Sequence, residues 1–167
     1  MILAIDPGWS ATAPGAWALY DGSTGELVVR DLPTYPTMVN GTERDRIDEH
    51  GTVELVRKAR IAGAVVMVIE LVGGMPHQSA SSAFVFGYGV GVLTAAAFAV
   101  DMPIERVAPA TWKAALKVPR EKGKARQRAS EMLPAYAGEW PLQKHHGRAE
   151  AALLAYYGWK VFGPGGG

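Results

Sequence analysis

Three acidic residues, Asp6, Glu70 and Glu150, stand where a carboxylate is costly to place without a cation or a donor nearby. Asp6 ends the apolar run Ile2-Leu3-Ala4-Ile5 and is followed by Pro7-Gly8. Pro7 offers no N–H to a sheet and biases Asp6 toward extended backbone, and Gly8 permits a tight turn. Glu70 ends a second apolar run, 64–69, in the same way. Glu150 opens the Ala-rich stretch 151–157, so it sits on or beside a buried helix face. His146 precedes it by one helical turn, on the same side. Oxygen ligands with one imidazole suit Mg²⁺ or Mn²⁺ better than a structural zinc site. Clustered carboxylates repel one another unless cations compensate. Two ions about 4 Å apart could activate a water and stabilise the leaving oxygen in phosphodiester hydrolysis. The expected metal set is therefore Asp6, Glu70, His146 and Glu150, holding two Mg²⁺ or Mn²⁺ ions.

The elements that must position these groups follow from periodicity. A continuous apolar, β-branched run such as 64–69 is the signature of a strand buried on both faces. In open α/β sheets the ends of central strands are where ligands bind. Residues 12–20 (apolar over 16–20), a turn over 21–25 and the alternating segment 26–31 make a meander with the first strand. Residues 34–43, with their prolines and Gly41, read as loop, and 47–62 as an amphipathic helix that Gly63 closes. After a loop at 72–78 comes a helix whose Ala83, Gly87, Gly91 and Ala95 recur every fourth residue. That ridge permits close approach of another backbone, in sheet packing or across a dimer. Residues 104–107 read as a short strand, and Pro109 and Thr111 open a helix containing Trp112 and Lys113. A charged loop at 120–124, a helix to about Met132, an irregular stretch at 134–142 and a last helix from near Lys144 complete the chain. One domain over 1–160 and a flexible Gly-rich tail over 161–167 are expected.

Composition narrows the class. The 167 residues suffice for one domain with a sizeable core, and 49% hydrophobic with 20% charged residues is ordinary for a globular chain. The absence of cysteine excludes disulfides, thiolate nucleophiles and Cys-based zinc sites. The N-terminus lacks the basic region and cleavage site of a signal peptide, so a cytoplasmic location is expected. Residues 71–100 carry no Asp, Glu, Lys or Arg, yet their first half holds Gly, Pro, His and Ser, and a buried helix is preferred to a membrane span. Between Arg106 and Arg128 stand eight Lys/Arg against one acid. That window carries +7 on a chain of formal charge +1, leaving −6 for the rest, the pattern of a protein that grips phosphates with one face.

Together, Ile5-Asp6-Pro7-Gly8, the strand ending Ile69-Glu70 before a small-residue helix, and Gly147-Arg148-Ala149-Glu150-Ala151 resemble the RuvC-type Holliday junction resolvases, especially small phage-type members. The resemblance covers most of residues 1–158. It implies an α/β, RNase H-like fold, with a mixed five-stranded sheet (an antiparallel meander plus two parallel strands) flanked by helices. It further implies a homodimeric, metal-dependent endonuclease acting on four-way DNA, located in the host cytoplasm if phage-encoded. Lys113 and Lys124 match in spacing two DNA-contacting lysines of that family, and Lys124 is expected to assist near the scissile phosphate. The surrounding Lys117, Arg120, Lys122, Arg126 and Arg128 are expected to bind phosphate backbones. The family places an acid or His three residues before its last carboxylate. Here that position is Gly147, and His146 is preferred to His145 as substitute because it keeps to Glu150's side of the helix. For the aromatic wedge that opens the junction, this chain offers only Met75 or His77.

Three rival readings stand beside the resolvase reading, the first of the same class and the others of different ones. A broader nuclease would cut branched DNA or RNA–DNA hybrids. An actin-like ATPase would need a second phosphate motif, for which 167 residues leave no room. A non-catalytic DNA-binding relative would not need the complete acidic set.

Overall fold

The computed structural model describes residues 1–8, 15–39, 41–73, 79–119, 121 and 123–164. Its centre is β1 (Ile2–Asp6), every residue of which is buried. β2 (Ala16–Asp21) runs antiparallel beside it and β3 (Glu26–Asp31) antiparallel beside β2. The β2–β3 turn is closed by Gly25 at φ +79°, while the Asp21 carboxylate accepts from the Ser23 N–H at 2.9 Å. Next comes a two-stranded hairpin, β4 (Thr34–Val39) with β5 (Thr42–Ile47), separate from the main sheet. β6 (Val66–Glu70) pairs parallel with the far side of β1, and β7 (Ile104–Val107) pairs parallel with β6. The main sheet thus has the order β3-β2-β1-β6-β7, the mixed five-stranded sheet of the RNase H-like fold.

Alternation along β1 divides the core. Ile2 and Ala4 face a cluster with Val66 and Val68 of β6, covered by α3 (Pro109–Ala115), α4 (Lys124–Met132) and α5 (His146–Phe162). Leu3 and Ile5 face the other way with Met67 and Ile69, covered by α1 (Glu49–Ile61) and α2 (Ala80–Phe98). Burial on both faces explains why these strands read as unbroken apolar runs. α5 lies across the sheet on β1, β2, β3 and β6. Gly158 sets that approach, since a Cβ there would come within 2.8 Å of Val68 Cγ2 and 2.9 Å of Ile2 Cγ2.

Four expectations are corrected. Residues 34–43 are not loop but most of the β4–β5 hairpin: Pro36 is tolerated because each strand of a two-stranded sheet is an edge, and Gly41 at φ +75° turns the chain. The helix of the uncharged segment is not largely buried. α2 is long and apolar enough to cross a membrane by length and composition, yet only 22% of its most apolar window is buried. Its inward residues are Gly89, Leu93, Ala96 and Ala97, whereas Gly87, Gly91 and Ala95 of the ridge are exposed, so the ridge does not pack on the sheet. The stretch after Met132 is partly ordered as 3₁₀ turns over Pro134–Glu139 and Gln143–His145. α5 then continues to Phe162.

Candidate active site

Register brings the first two carboxylates together. Ile5 of β1 is level with Ile69 of β6, so Asp6 and Glu70 follow at the same end of adjacent central strands. The same row continues across the sheet from Asp6 to Ala16 and on to Asp31. Asp31 receives the guanidinium of Arg148 through both oxygens, with Nε donating to Oδ1 at 2.8 Å and Nη2 donating to Oδ2. This two-pronged pair fixes the first turn of α5 to the edge of the row that holds Asp6, and Glu150 follows two residues later. The Arg148 of the sequence motif is therefore a register clamp for Glu150.

Asp6 is 6% exposed and accepts from the Gly8 N–H at 2.9 Å. Burial, then the neighbouring Glu150 charge and more weakly that of Glu70, push its carboxyl up to about 7, against the opposing pull of the Gly8 N–H and Lys113. Burial also raises the Glu70 carboxyl, with Glu150 adding to it. Lys113, from α3, partly offsets this negative charge: its Nζ donates to Glu150 Oε1 at 2.8 Å. Burial pulls the Lys113 amine down, but the Glu150 hydrogen bond and the charges of Glu150, Glu70 and Asp6 outweigh it and hold the amine above its ordinary value. One residue that sequence reasoning treated only as part of a helix also reaches the site. Trp112 Nε1 donates to Glu70 Oε1 at 3.0 Å.

Among the described residues, no three His, Asp or Glu side chains are gathered closely enough to hold a metal ion between them. The donor chemistry nonetheless fits a hard divalent cation. Asp6, Glu70 and Glu150 form an oxygen-only set, desolvated enough to raise Asp6 and Glu70, with one lysine as counter-charge. His146 is exposed and lines, with Glu150, Lys113, Glu121 and Gln143, a cavity of about 340 Å³ next to this set. His145 instead turns its Nδ1 to the Leu142 N–H at 3.4 Å and lies near Arg148 and Asp31.

The basic segment divides by role. Lys117 is exposed at φ +52°, and Lys124 is exposed with Nζ donating to Gln127 at 3.1 Å. Lys124 opens onto a cleft of about 540 Å³ shared with Arg126, Trp140 and Gln143, which adjoins, at Gly123 and Gln143, the cavity that His146 and Glu150 line. Arg126 donates to the Pro141 carbonyl at 3.1 Å, and Arg128 to the Leu116 carbonyl at 2.8 Å and to Glu131 at 3.1 Å. Both guanidiniums thus brace the chain around α4, a use that charge counting does not reveal. Arg120, Lys122, Met75 and His77 lie outside the described residues.

No protein-family model and no curated protein matches the chain by sequence. Its fold is similar to solved structures of RuvC from Thermus thermophilus. One aligns over 99% of this chain and 96% of its own, with TM-score 0.61 and 18% identity. A second, T. thermophilus RuvC in complex with a Holliday junction substrate, aligns over 97% of this chain and 96% of its own, with TM-score 0.58 and 15% identity. The likeness runs the length of both chains, and the architecture is the RuvC/RNase H-like fold.

Proposed function

We propose that this chain is a divalent-metal-dependent endonuclease that resolves four-way DNA junctions by paired, symmetric nicks. The observation that carries the reading is the placement of Asp6, Glu70 and Glu150, from two adjacent strand ends and one crossing helix, in a RuvC-like fold matched over nearly its whole length. One of those neighbours is bound to a Holliday junction substrate. Asp6, Glu70 and Glu150 would hold Mg²⁺ or Mn²⁺, two ions per site, with His146 beside Glu150 as the fourth candidate ligand. The ions supply activation of the attacking water and stabilisation of charge on the leaving 3′ oxygen. Lys113 neutralises part of the acidic set, and the exposed Lys117 and Lys124 contribute phosphate contacts. A four-way junction has two-fold symmetry, which a homodimer with two such sites matches. The uncovered face of α2, with Phe84 at 73% and Phe98 at 65% exposure around Gly87, Gly91 and Ala95, is the surface for that partner.

The test is cleavage of a labelled synthetic four-way junction and of a linear duplex of the same sequence, in Mg²⁺ or Mn²⁺, with Glu70→Gln as control. Paired nicks confined to the junction and lost in Glu70→Gln are expected. Equal cutting of both substrates would point to a general nuclease. Junction binding with no cleavage in either metal would leave a non-catalytic DNA-binding protein.

A further inference from the structure

Trp112 and Lys113 are consecutive on α3, yet between them they reach two of the three carboxylates. Trp112 is 1% exposed, packed in the cluster that includes Val107, Leu116 and the buried face of α5. Its indole N–H is its only polar group, and that group donates to Glu70 Oε1 at 3.0 Å. The face of the same ring carries Lys113, whose Nζ lies 5.0 Å from the ring centroid while donating to Glu150 Oε1 at 2.8 Å. One indole therefore touches Glu70 with its edge and supports, with its face, the cation that holds Glu150. An indole N–H cannot ligate a cation, so its effect on Glu70 is to fix the carboxylate's orientation and occupy one of its oxygens. Buried on one side and pinned on the other, the ring has little freedom to turn.

We propose that Trp112 is a positioning residue of the metal site: its N–H orients Glu70 so that the opposite oxygen is presented to a divalent ion. This rests on the metal-nuclease reading above and adds to it a residue that would never touch the ion itself. Partners that orient a ligating group raise metal affinity, and their loss commonly weakens it about 10–100-fold. The Trp112–Lys113 pair thus gives Glu70 and Glu150 one donor each.

The experiment titrates Mn²⁺ alone into the full-length, metal-free protein, with free Mn²⁺ read by electron paramagnetic resonance. Wild type is compared with Trp112→Phe and with a protein carrying β-(3-benzothienyl)alanine at position 112. The latter keeps the bicyclic shape, and hence the seat for Lys113, but replaces the N–H with sulfur. Both variants are expected to bind Mn²⁺ about 10-fold more weakly, with junction cleavage restored by raising Mn²⁺. Trp112→Phe alone is expected to melt lower, because it also loses packing volume. Wild-type Mn²⁺ affinity in the benzothienyl protein, with only the Phe variant destabilised, would overturn the proposal and leave Trp112 as core. If wild type itself bound no Mn²⁺, this inference and the nuclease reading would fall together.

Discussion

At the scale of single residues, the site is a set of carboxylates whose neighbours determine their charge. Asp6 is raised from 3.8 to about 7, first by burial and then by Glu150. The folded protein therefore binds that proton more tightly than the unfolded chain does. The stability Asp6 contributes is complete below about pH 4 and is lost as pH climbs through about 7. In metal-free protein, the melting temperature is expected to fall over this interval, and Asp6→Asn to flatten the fall and melt higher than wild type at pH 8. A carboxyl moved this far corresponds to an effect on the order of 4 kcal/mol at most. Calorimetry across pH with chelator present measures it, and identical pH profiles for wild type and Asp6→Asn would refute it. Asp6 and Glu70 were conspicuous in the sequence because each charge ends an apolar run, and Glu150 because it opens one. Trp112 was not, because a tryptophan in a helix reads as core and only the fold shows that its N–H meets Glu70.

At the scale of elements, the critical contact is α5 against the sheet. Gly158 has no room for a side chain between Val68 and Ile2, and Arg148 fixes the other end of the helix to Asp31. Gly158→Val is expected to lift the helix from the sheet and cost about 3 kcal/mol, read as a lowered chemical-denaturation midpoint with unchanged slope. An unaltered midpoint would mean that the helix shifts freely and that its spacing does not set Glu150. The buried strands and amphipathic α1 were legible because periodicity reports burial directly, and Gly63 closes that helix at φ +104° as its type suggests. The β4–β5 hairpin was hidden because β5, Thr42 to Ile47, is polar until its last residue and carries no alternation. The small-residue ridge on α2 was legible as a pattern, but not which side it faced, since small residues serve a sheet contact and an exposed face equally well.

For the whole molecule, the acidic site at the ends of β1 and β6 and the bare face of α2 are separate surfaces of one fold. A Cβ added at Gly91 would meet nothing within 4 Å, so the single chain tolerates a large side chain there. Gly91→Arg is expected to leave melting within a few degrees of wild type, turn a dimer into a monomer by light scattering, and abolish paired nicking while sparing metal binding. A wild-type protein already monomeric at micromolar concentration would dismiss α2 as the contact. Asp6 lies on the first strand and Glu150 on the last helix, with the rest of the fold strung between them. On the ribosome, β1 and β6 emerge long before α5 can cover Ile2, Ala4 and Val68, so those strands wait with one face unprotected. The acidic set is then completed only when α5 follows the two strands. A chain stalled before His146 carries two of the three acids and not the helix that brings the third, so a half-made copy lacks the complete set.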